Sequence, residues 1–417
     1  MKRNSMPTRI ASSLAALAGL GIGCADAADY HWDPILMVSG NYNDNYGLDS
    51  GNVQNISVEG SIVDASLHLR IINPDSHFEI TPAVRSIYYP GQSQYDANNA
   101  FVDSQFEQLW SRGTFTLNGS FYSQDVLTSY LPTTTIGAPL GQNSPGADLA
   151  SVTERVRQDL LLLAPIATFD VSPREHLEIR TQFLNVDYSQ AVYGQIQNFR
   201  NYSGSLGLGF DVTPQSTVTV RGIASDLSPV SGSGANTYGA EGEWRTHLSE
   251  VVQSYAKVGV EHTSFNEAQY GQSSATSVSG GLGISRKFIA YDLFVDLARS
   301  VSPDSYGTVV IRNDLRARLE HKFSARTAGY VGLRYIKQDG LGNSTNFVGE
   351  RYGQAGLGVE WRIYRQFSII SEYAYTTLKD YTAGAQTAGS NSVTISLKYE
   401  PHRPIEEFGV NIDRYRY

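Results

Sequence analysis

The residue types that could carry chemistry in this 417-residue chain are few and scattered. Eight histidines, His31, His68, His77, His176, His247, His262, His321 and His402, stand far apart, and none falls in an HExxH or comparable metal-binding spacing. The single cysteine, Cys24, excludes a disulfide framework, a thiolate zinc site and an iron–sulfur cluster. No serine lies in a G-x-S-x-G turn. The sequence thus names no catalytic residue, metal or cofactor, and the expectation is a protein that is not an enzyme. What it holds at regular spacing is charge. From Arg312 onward, Arg312, Asp314, Arg316, Arg318, Glu320 and Lys322 occupy every second position, with mostly apolar residues between them. Period two puts such residues on one face of a β-strand. Asp292, Asp296, Arg334 and Glu360 fall on the polar faces of the neighbouring segments, and Arg155, Arg157, Asp159, Arg180, Arg221, Glu241, Glu243 and Lys257 fall in the same phase elsewhere. Such groups do electrostatic work: they pair across strands and hold water, or they line a path for a charged solute. Both readings stand, and the mixed signs favour weak selectivity. Tyr122, Tyr255, Tyr330 and Tyr352 share the polar phase and are candidates to stack on sugar rings.

The elements that must position these groups are strands. Almost no stretch after Trp32 shows helical period, whereas Leu67, Leu69 and Ile71, then Leu177, Ile179 and Phe183, and later Val393, Ile395, Leu397 and Tyr399, alternate with polar partners. Tight turns such as Asn73-Pro74-Asp75-Ser76, Ser172-Pro173-Arg174-Glu175 and Thr213-Pro214-Gln215-Ser216 alternate with longer links rich in Gly, Ser, Asn, Asp and Gln. The longest link, Leu127 to Val152, folds inward or covers one mouth. Alternating short and long connections between strands of about ten residues are the pattern of a transmembrane barrel with short periplasmic turns and longer outer loops. The expected fold is all-β, an antiparallel up-and-down barrel of about eighteen strands, sixteen to twenty bounding the count, with eight short turns and nine long loops. Closure follows because an open sheet edge leaves backbone groups unpaired in lipid at several kcal/mol each. Since a charge facing lipid at the midplane costs about 2–4 kcal/mol, the ladder from Arg312 to Lys322 must face the lumen. Trp110, Trp244, Trp361, Tyr335, Tyr373, Tyr375 and Tyr399 are read as interface anchors.

Composition agrees. A net charge of −9 offers no basic field for nucleic acid. No apolar run of about 18 residues follows the N-terminus, so helical membrane spans are excluded. At the N-terminus, Lys2, Arg3 and Arg9 precede an apolar stretch and Ala25-Asp26-Ala27, which reads as a signal peptide over 1–27, cut after Ala27. The competing reading makes Cys24 the lipid-bearing first residue of a lipoprotein. Residues 28–399 are then the barrel of a Gram-negative outer membrane, with Tyr399 ending its closing strand, and 400–417 a periplasmic tail. If Phe408 to Tyr417 were itself the closing strand, one upstream strand would be miscounted.

Two segments carry a family resemblance: Gly40-Asn41-Tyr42-Asn43-Asp44-Asn45 near the first strand's outer end, and Trp361-Arg362-Ile363-Tyr364-Arg365-Gln366-Phe367-Ser368-Ile369 leading into Tyr373-Ala374-Tyr375. The pair resembles the β-barrel porin type 2 family of exopolysaccharide and exosortase operons, with a departure at Asn43, which precedes Asp44 in the early element. The resemblance implies an outer-membrane channel assisting export of a capsule- or biofilm-type polysaccharide, with a periplasmic polysaccharide-export protein as partner. Asp44 and Asn45 read as turn formers. The alternatives are a general diffusion porin for small polar solutes and a non-conducting structural or adhesive surface barrel.

Overall fold

The computed structural model describes residues 29–48, 55–126, 156–189, 196–230, 234–269, 272–341, 349–380 and 387–401. The segments 1–28 and 402–417, the whole link 127–152 and Arg155, on which several of the expectations above rest, lie outside them. Eighteen strands follow one another: β1 (Asp29–Asn43), β2 (Val58–Ile72), β3 (Ser76–Tyr88), β4 (Ala97–Trp110), β5 (Gly113–Asp125), β6 (Arg157–Ser172), β7 (Glu175–Tyr188), β8 (Phe199–Thr213) and β9 (Ser216–Pro229), then β10 (Ala235–Ser249), β11 (Val252–Gln269), β12 (Gln272–Lys287), β13 (Tyr291–Pro303), β14 (Val309–Lys322), β15 (Thr327–Gly340), β16 (Glu350–Tyr364), β17 (Phe367–Asp380) and β18 (Thr387–Tyr399). Each pairs antiparallel with its sequence neighbours, and β1 also pairs with β18 through Leu36–Asn43 and Ser392–Tyr399, closing the sheet into a barrel. The eight connections at one end are short turns, and the nine at the other include all the long ones, as the sequence pattern predicts.

The two faces of the wall are inverted relative to a water-soluble protein. On β16, Leu357 and Trp361 are 51% and 52% exposed, while Gln354 and Glu360 between and beside them are 5% and 2% exposed. Apolar side chains in the open and charges out of reach make physical sense only where the outer solvent is lipid. Trp110, Trp244 and Trp361 stand exposed near the turn end, and Tyr335 and Tyr375 near the long-link end. These are the levels at which amphipathic rings meet headgroups.

The first and last strands are sewn together by the early Asn43-Asp44-Asn45 element. Asn391 donates to both Asp44 carboxylate oxygens at 2.7 Å, Ser390 donates to Asn43 at 2.8 Å, and Asn45 donates to the Gly389 carbonyl at 3.0 Å. A weaker seam lies elsewhere. The β12–β13 ladder stops at Gly280 and Arg299, beyond which β12 pairs with β11 alone. The Arg299 guanidinium takes up the next carbonyl, that of Val278, at 2.9 Å.

Candidate functional site

Inside the barrel, β14 presents Arg312, Asp314, Arg316, Arg318 and Glu320 on its inner face. Asp314 is a hub: it accepts from Arg316 at 2.7 Å and from Arg312 at 3.2 Å, and the Arg334 guanidinium on β15 stands 3.7 Å away. Arg318 pairs with Glu320 at 3.4 Å and lies with its guanidinium carbon 4.6 Å from the centre of the Tyr330 ring, a cation–π contact. Asp292 and Asp296 come from β13, in register with Glu320 and Arg316, and Glu360 comes from β16, buried beside Ala328. The nine charged residues that the sequence singles out therefore lie on four consecutive strands of one wall. They do not form a bare strip of arginines. Of the charged side chains on β14 and β15 that surround Asp314, Arg316 alone is substantially open, at 30%.

A second charged centre stands on the β7–β11 wall. Arg221, 4% exposed, donates to Glu178 at 2.7 Å, Glu243 at 2.8 Å and Glu241 at 3.1 Å. Arg180, Arg245 and Lys257 hold the outer sides of the same carboxylates at 2.7, 2.7 and 3.6 Å. Two residues of the sequence assignment belong elsewhere. Arg157 and Asp159 share the phase of Leu161 and Leu163 and are exposed on the outer face, where Arg157 donates to Ser123 at 2.7 Å. At a strand's outer end the lipid gives way to headgroups, so polar side chains there no longer mark the lumen.

The four tyrosines of the polar phase are engaged by the protein itself. Tyr122 is buried and donates to Asp103 at 2.7 Å. Tyr255 donates to Asp296, Tyr330 donates to Glu372, and Tyr352 is buried against Ile336 and Leu378. A rule unites two of these with Arg221. Tyr255 faces Gly283 in register and Gly283 faces Asp296; Tyr330 faces Gly358 and Gly358 faces Glu372; Arg221 faces Gly207 and Gly207 faces Glu178. In each case a long side chain lies across a glycine, whose missing Cβ leaves the room, and bonds an acid two strands away. These braces were not apparent from the sequence. Their only signal is an inward glycine flanked in register by a long polar residue and an acid, which needs the register to be seen.

The long-link mouth is lined differently. Leu160, Val186, Phe199, Leu227, Ala235 and Phe265, from β6 through β11, join Leu341 beyond β15 in one buried apolar cluster. Above it, Gln197 donates its backbone N–H to the Ser305 carbonyl at 2.8 Å, joining the link after β7 to the link after β13. A smaller cluster of Tyr46, Val58, Ile62, Ile87, Tyr89 and Ala97 fills the corner over β1–β4. Burial pushes the Tyr89 phenol, just beyond β3, up to about 12, and that phenol donates to Asn41 at 3.2 Å.

A closed antiparallel barrel, apolar outside and charged within, is a transmembrane barrel of the bacterial outer-membrane class, and this chain is one. No family model matches the chain, and no curated protein matches it in sequence. Among solved structures it is similar to the outer membrane protein OpdK from Pseudomonas aeruginosa, at 7% identity over 89% of this chain and 98% of that one, with a TM-score of 0.41. It is also similar to Pseudomonas aeruginosa OccK3 (OpdO), at 11% identity over 88% and 95% with a TM-score of 0.44. The FrpB iron transporter from Neisseria meningitidis matches at 7% identity over 89% and 82% with a TM-score of 0.42. At this level the likenesses decide nothing about the lumen; the architecture rests on the chain's own ladders and faces.

Proposed function

We propose that the protein is a gated outer-membrane channel that assists the outward passage of a polar polymer, an exopolysaccharide of capsule or biofilm type. The observation that carries this reading is the apolar cluster from Leu160 to Leu341 at the long-link mouth. An apolar constriction excludes water and ions until something displaces it, which is how hydrophobic gates work. A diffusion porin needs a standing aqueous path, and this mouth is dressed against one. Beneath it, charges of both signs, paired and braced, suit a hydroxyl-rich chain better than a strongly selected ion. The four tyrosines are taken up by the wall, Tyr255 and Tyr330 as braces, leaving Arg316 as the most open cation of its centre for an acidic sugar. The resemblance to the β-barrel porin type 2 family supports the same substrate class and a periplasmic polysaccharide-export protein as partner. On this reading residues 1–27 are a signal peptide removed on secretion, and 400–417 a periplasmic tail.

Planar-bilayer conductance tests the proposal. The wild type is expected to stay closed, and the double variant Leu160→Ser with Leu227→Ser to conduct steadily, because it wets the constriction. A wild type with a steady open pore would transfer the protein to the diffusion porins. Silence in both, with folding verified by its heat-sensitive mobility on a gel, would leave a structural barrel.

A further inference from the structure

On the lipid-facing side of the wall, the strand register assembles a row that has no role in the lumen. Lys337 on β15 is the ladder partner of Arg351 on β16, and Arg351 is the partner of Lys379 on β17. The row continues the other way through Asn313 on β14 to Arg299 on β13. All four cations stand on the outer face, sharing the phase of Leu297, Leu333, Leu357 and Tyr375, whose side chains are exposed. They sit where these strands run into the long links, the end that barrels of this class turn to the cell exterior. Neighbouring strands lie about 4.8 Å apart, so Lys337 and Lys379 are roughly 10 Å from each other and Arg299 roughly 19 Å from Lys379.

The charge here is one-sided. Asp339 is paired with Lys337 at 2.7 Å, both side chains being more than a third exposed, and an exposed pair of this kind is worth only about 0–1 kcal/mol, so a better anion displaces it. On the far side of the barrel the equivalent outer positions carry Arg157 and Arg200 among Asp159, Asp187 and Asp226, so acids outnumber cations there by three to two. Immediately below the row toward the bilayer lie Tyr335, Gly353 and Thr377, in register with one another. Gly353 adds no side chain of its own, and the Thr377 hydroxyl leans over it beside the exposed Tyr335, so a polar and aromatic patch lies under the cations, with the apolar belt below. Cations above, a hydroxyl and an aromatic ring in the middle and hydrocarbon below match the order of groups along a phosphorylated glycolipid: phosphate, sugar, acyl chain.

We propose that Lys337, Arg351 and Lys379, extended by Arg299, form a binding site on the outer wall for the phosphate groups of an outer-leaflet glycolipid that carries acyl chains and two phosphates. The site holds the barrel to the outer leaflet on one side and leaves the opposite wall unbound. Charges placed on a lipid-facing wall near the interface cost little, about 0–1 kcal/mol each, so the row is tolerated without a ligand and becomes an asset with one.

The test uses the full mature chain in neutral detergent, with the diphosphorylated glycolipid, its phosphate-free counterpart, phosphatidylcholine and inorganic phosphate as probes, and native mass spectrometry as the readout. The wild type is expected to retain the diphosphorylated form and neither phosphate-free lipid. The triple variant Lys337→Gln, Arg351→Gln, Lys379→Gln is expected to lose at least tenfold in retention. A control pair on the acid-rich opposite wall, Arg157→Gln with Arg200→Gln, is expected to lose nothing. Should the triple variant fail to fold, Arg351→Gln alone is expected to lose severalfold. Equal retention by the wild type and the triple variant, or by the wild type and Arg351→Gln where the triple variant does not fold, or equal retention of phosphate-free lipid, overturns the site. Full displacement by millimolar inorganic phosphate overturns the lipid in favour of a free-anion site.

Discussion

Replacing Arg221 with Met asks what the braced wall is worth. The guanidinium is 4% exposed and donates to three carboxylates, those of Glu178, Glu243 and Glu241, at 2.7, 2.8 and 3.1 Å. Each charge-assisted bond contributes about 1.5–3 kcal/mol, which summed naively overstates the loss. Every one of these acids keeps a second cation, Arg180, Arg245 or Lys257, and each is about a tenth exposed to lumen water that can partly rehydrate it. The expected cost is therefore that of breaking one partner out of a buried ionic cluster, about 3–5 kcal/mol. Arg221→Lys, which keeps the charge but not the planar fork, is expected to recover about half of it. Adding Glu178→Gln, Arg180→Gln, Glu241→Gln and Lys257→Gln to Arg221→Met leaves Glu243 paired with Arg245 and strands no charge of the cluster, and is expected to restore much of the loss, since neutral replacements of buried ionic groups together with their partners are often tolerated. Urea unfolding of the barrel refolded into phosphatidylcholine vesicles, followed by tryptophan fluorescence, measures all three. A loss under 1 kcal/mol for Arg221→Met, or no recovery in the combined variant, would refute the claim that Arg221 ties β7, β9 and β10 together.

Other outcomes follow from the same geometry. Tyr330→Phe strands the buried Glu372 carboxylate and is expected to cost about 1–3 kcal/mol in the same assay. Gly358→Ala, whose methyl runs into the Tyr330 ring, is expected to cost a similar amount by overpacking, whereas Gly222→Ala, with nothing within 4 Å of its new methyl, is expected to be neutral. Tyr89 makes alkaline stability titratable: the folded protein holds the phenolic proton up to about 12 while the unfolded chain releases it near 10.0, so stability is intact below pH 10 and falls as pH rises toward 12. The full loss is about 3 kcal/mol, and alkaline unfolding curves of Tyr89→Phe should lack that decline. In the channel opened at its mouth, Arg316→Gln is expected to shift ion preference toward cations, and an unchanged reversal potential in a salt gradient would remove that side chain from the path.

The strands were legible in the sequence because lipid on one side and charge on the other force a strict period of two, and a one-residue slip would move every side chain to the wrong face. The ladder from Arg312 to Lys322 shows this best: its alternation names the inner face of β14 without any knowledge of its neighbours. Arg157 and Asp159 mark where the same logic stops, since at the end of β6 both faces are wet and polarity no longer distinguishes them. The braces were illegible for another reason. Tyr330 finds Glu372 across a glycine 28 positions from the tyrosine in sequence only because two successive ladders bring Gly358 between them, and the pair itself is 42 residues apart. Asp44 is the extreme case. A short polar segment read locally is a turn, but its carboxylate is bonded to Asn391, 347 residues away, because closing the barrel makes the chain's two ends neighbours.

That closure also explains why the wall carries so much ionic bracing. Lipid drives apolar side chains outward along the middle of the wall, and the buried apolar clusters sit toward the long-link mouth, so below them the inner face must supply cohesion by bonds that reach past the adjacent strand. Arg221, Tyr255 and Tyr330 each span three strands in this way. Among the described residues no such brace crosses between β12 and β13 beyond Gly280, where the ladder has already ended and Arg299 covers the Val278 carbonyl. The apolar cluster at the mouth then sits above a stiff, braced cylinder. Opening it requires the mouth side chains and their links to move while the wall stands still, so variants that loosen the braces should lower stability without opening the pore, and variants at Leu160 or Leu227 should open the pore with little loss of stability. If Tyr330→Phe conducted as readily as the mouth variant, gate and wall would be one element and this division of labour would fail.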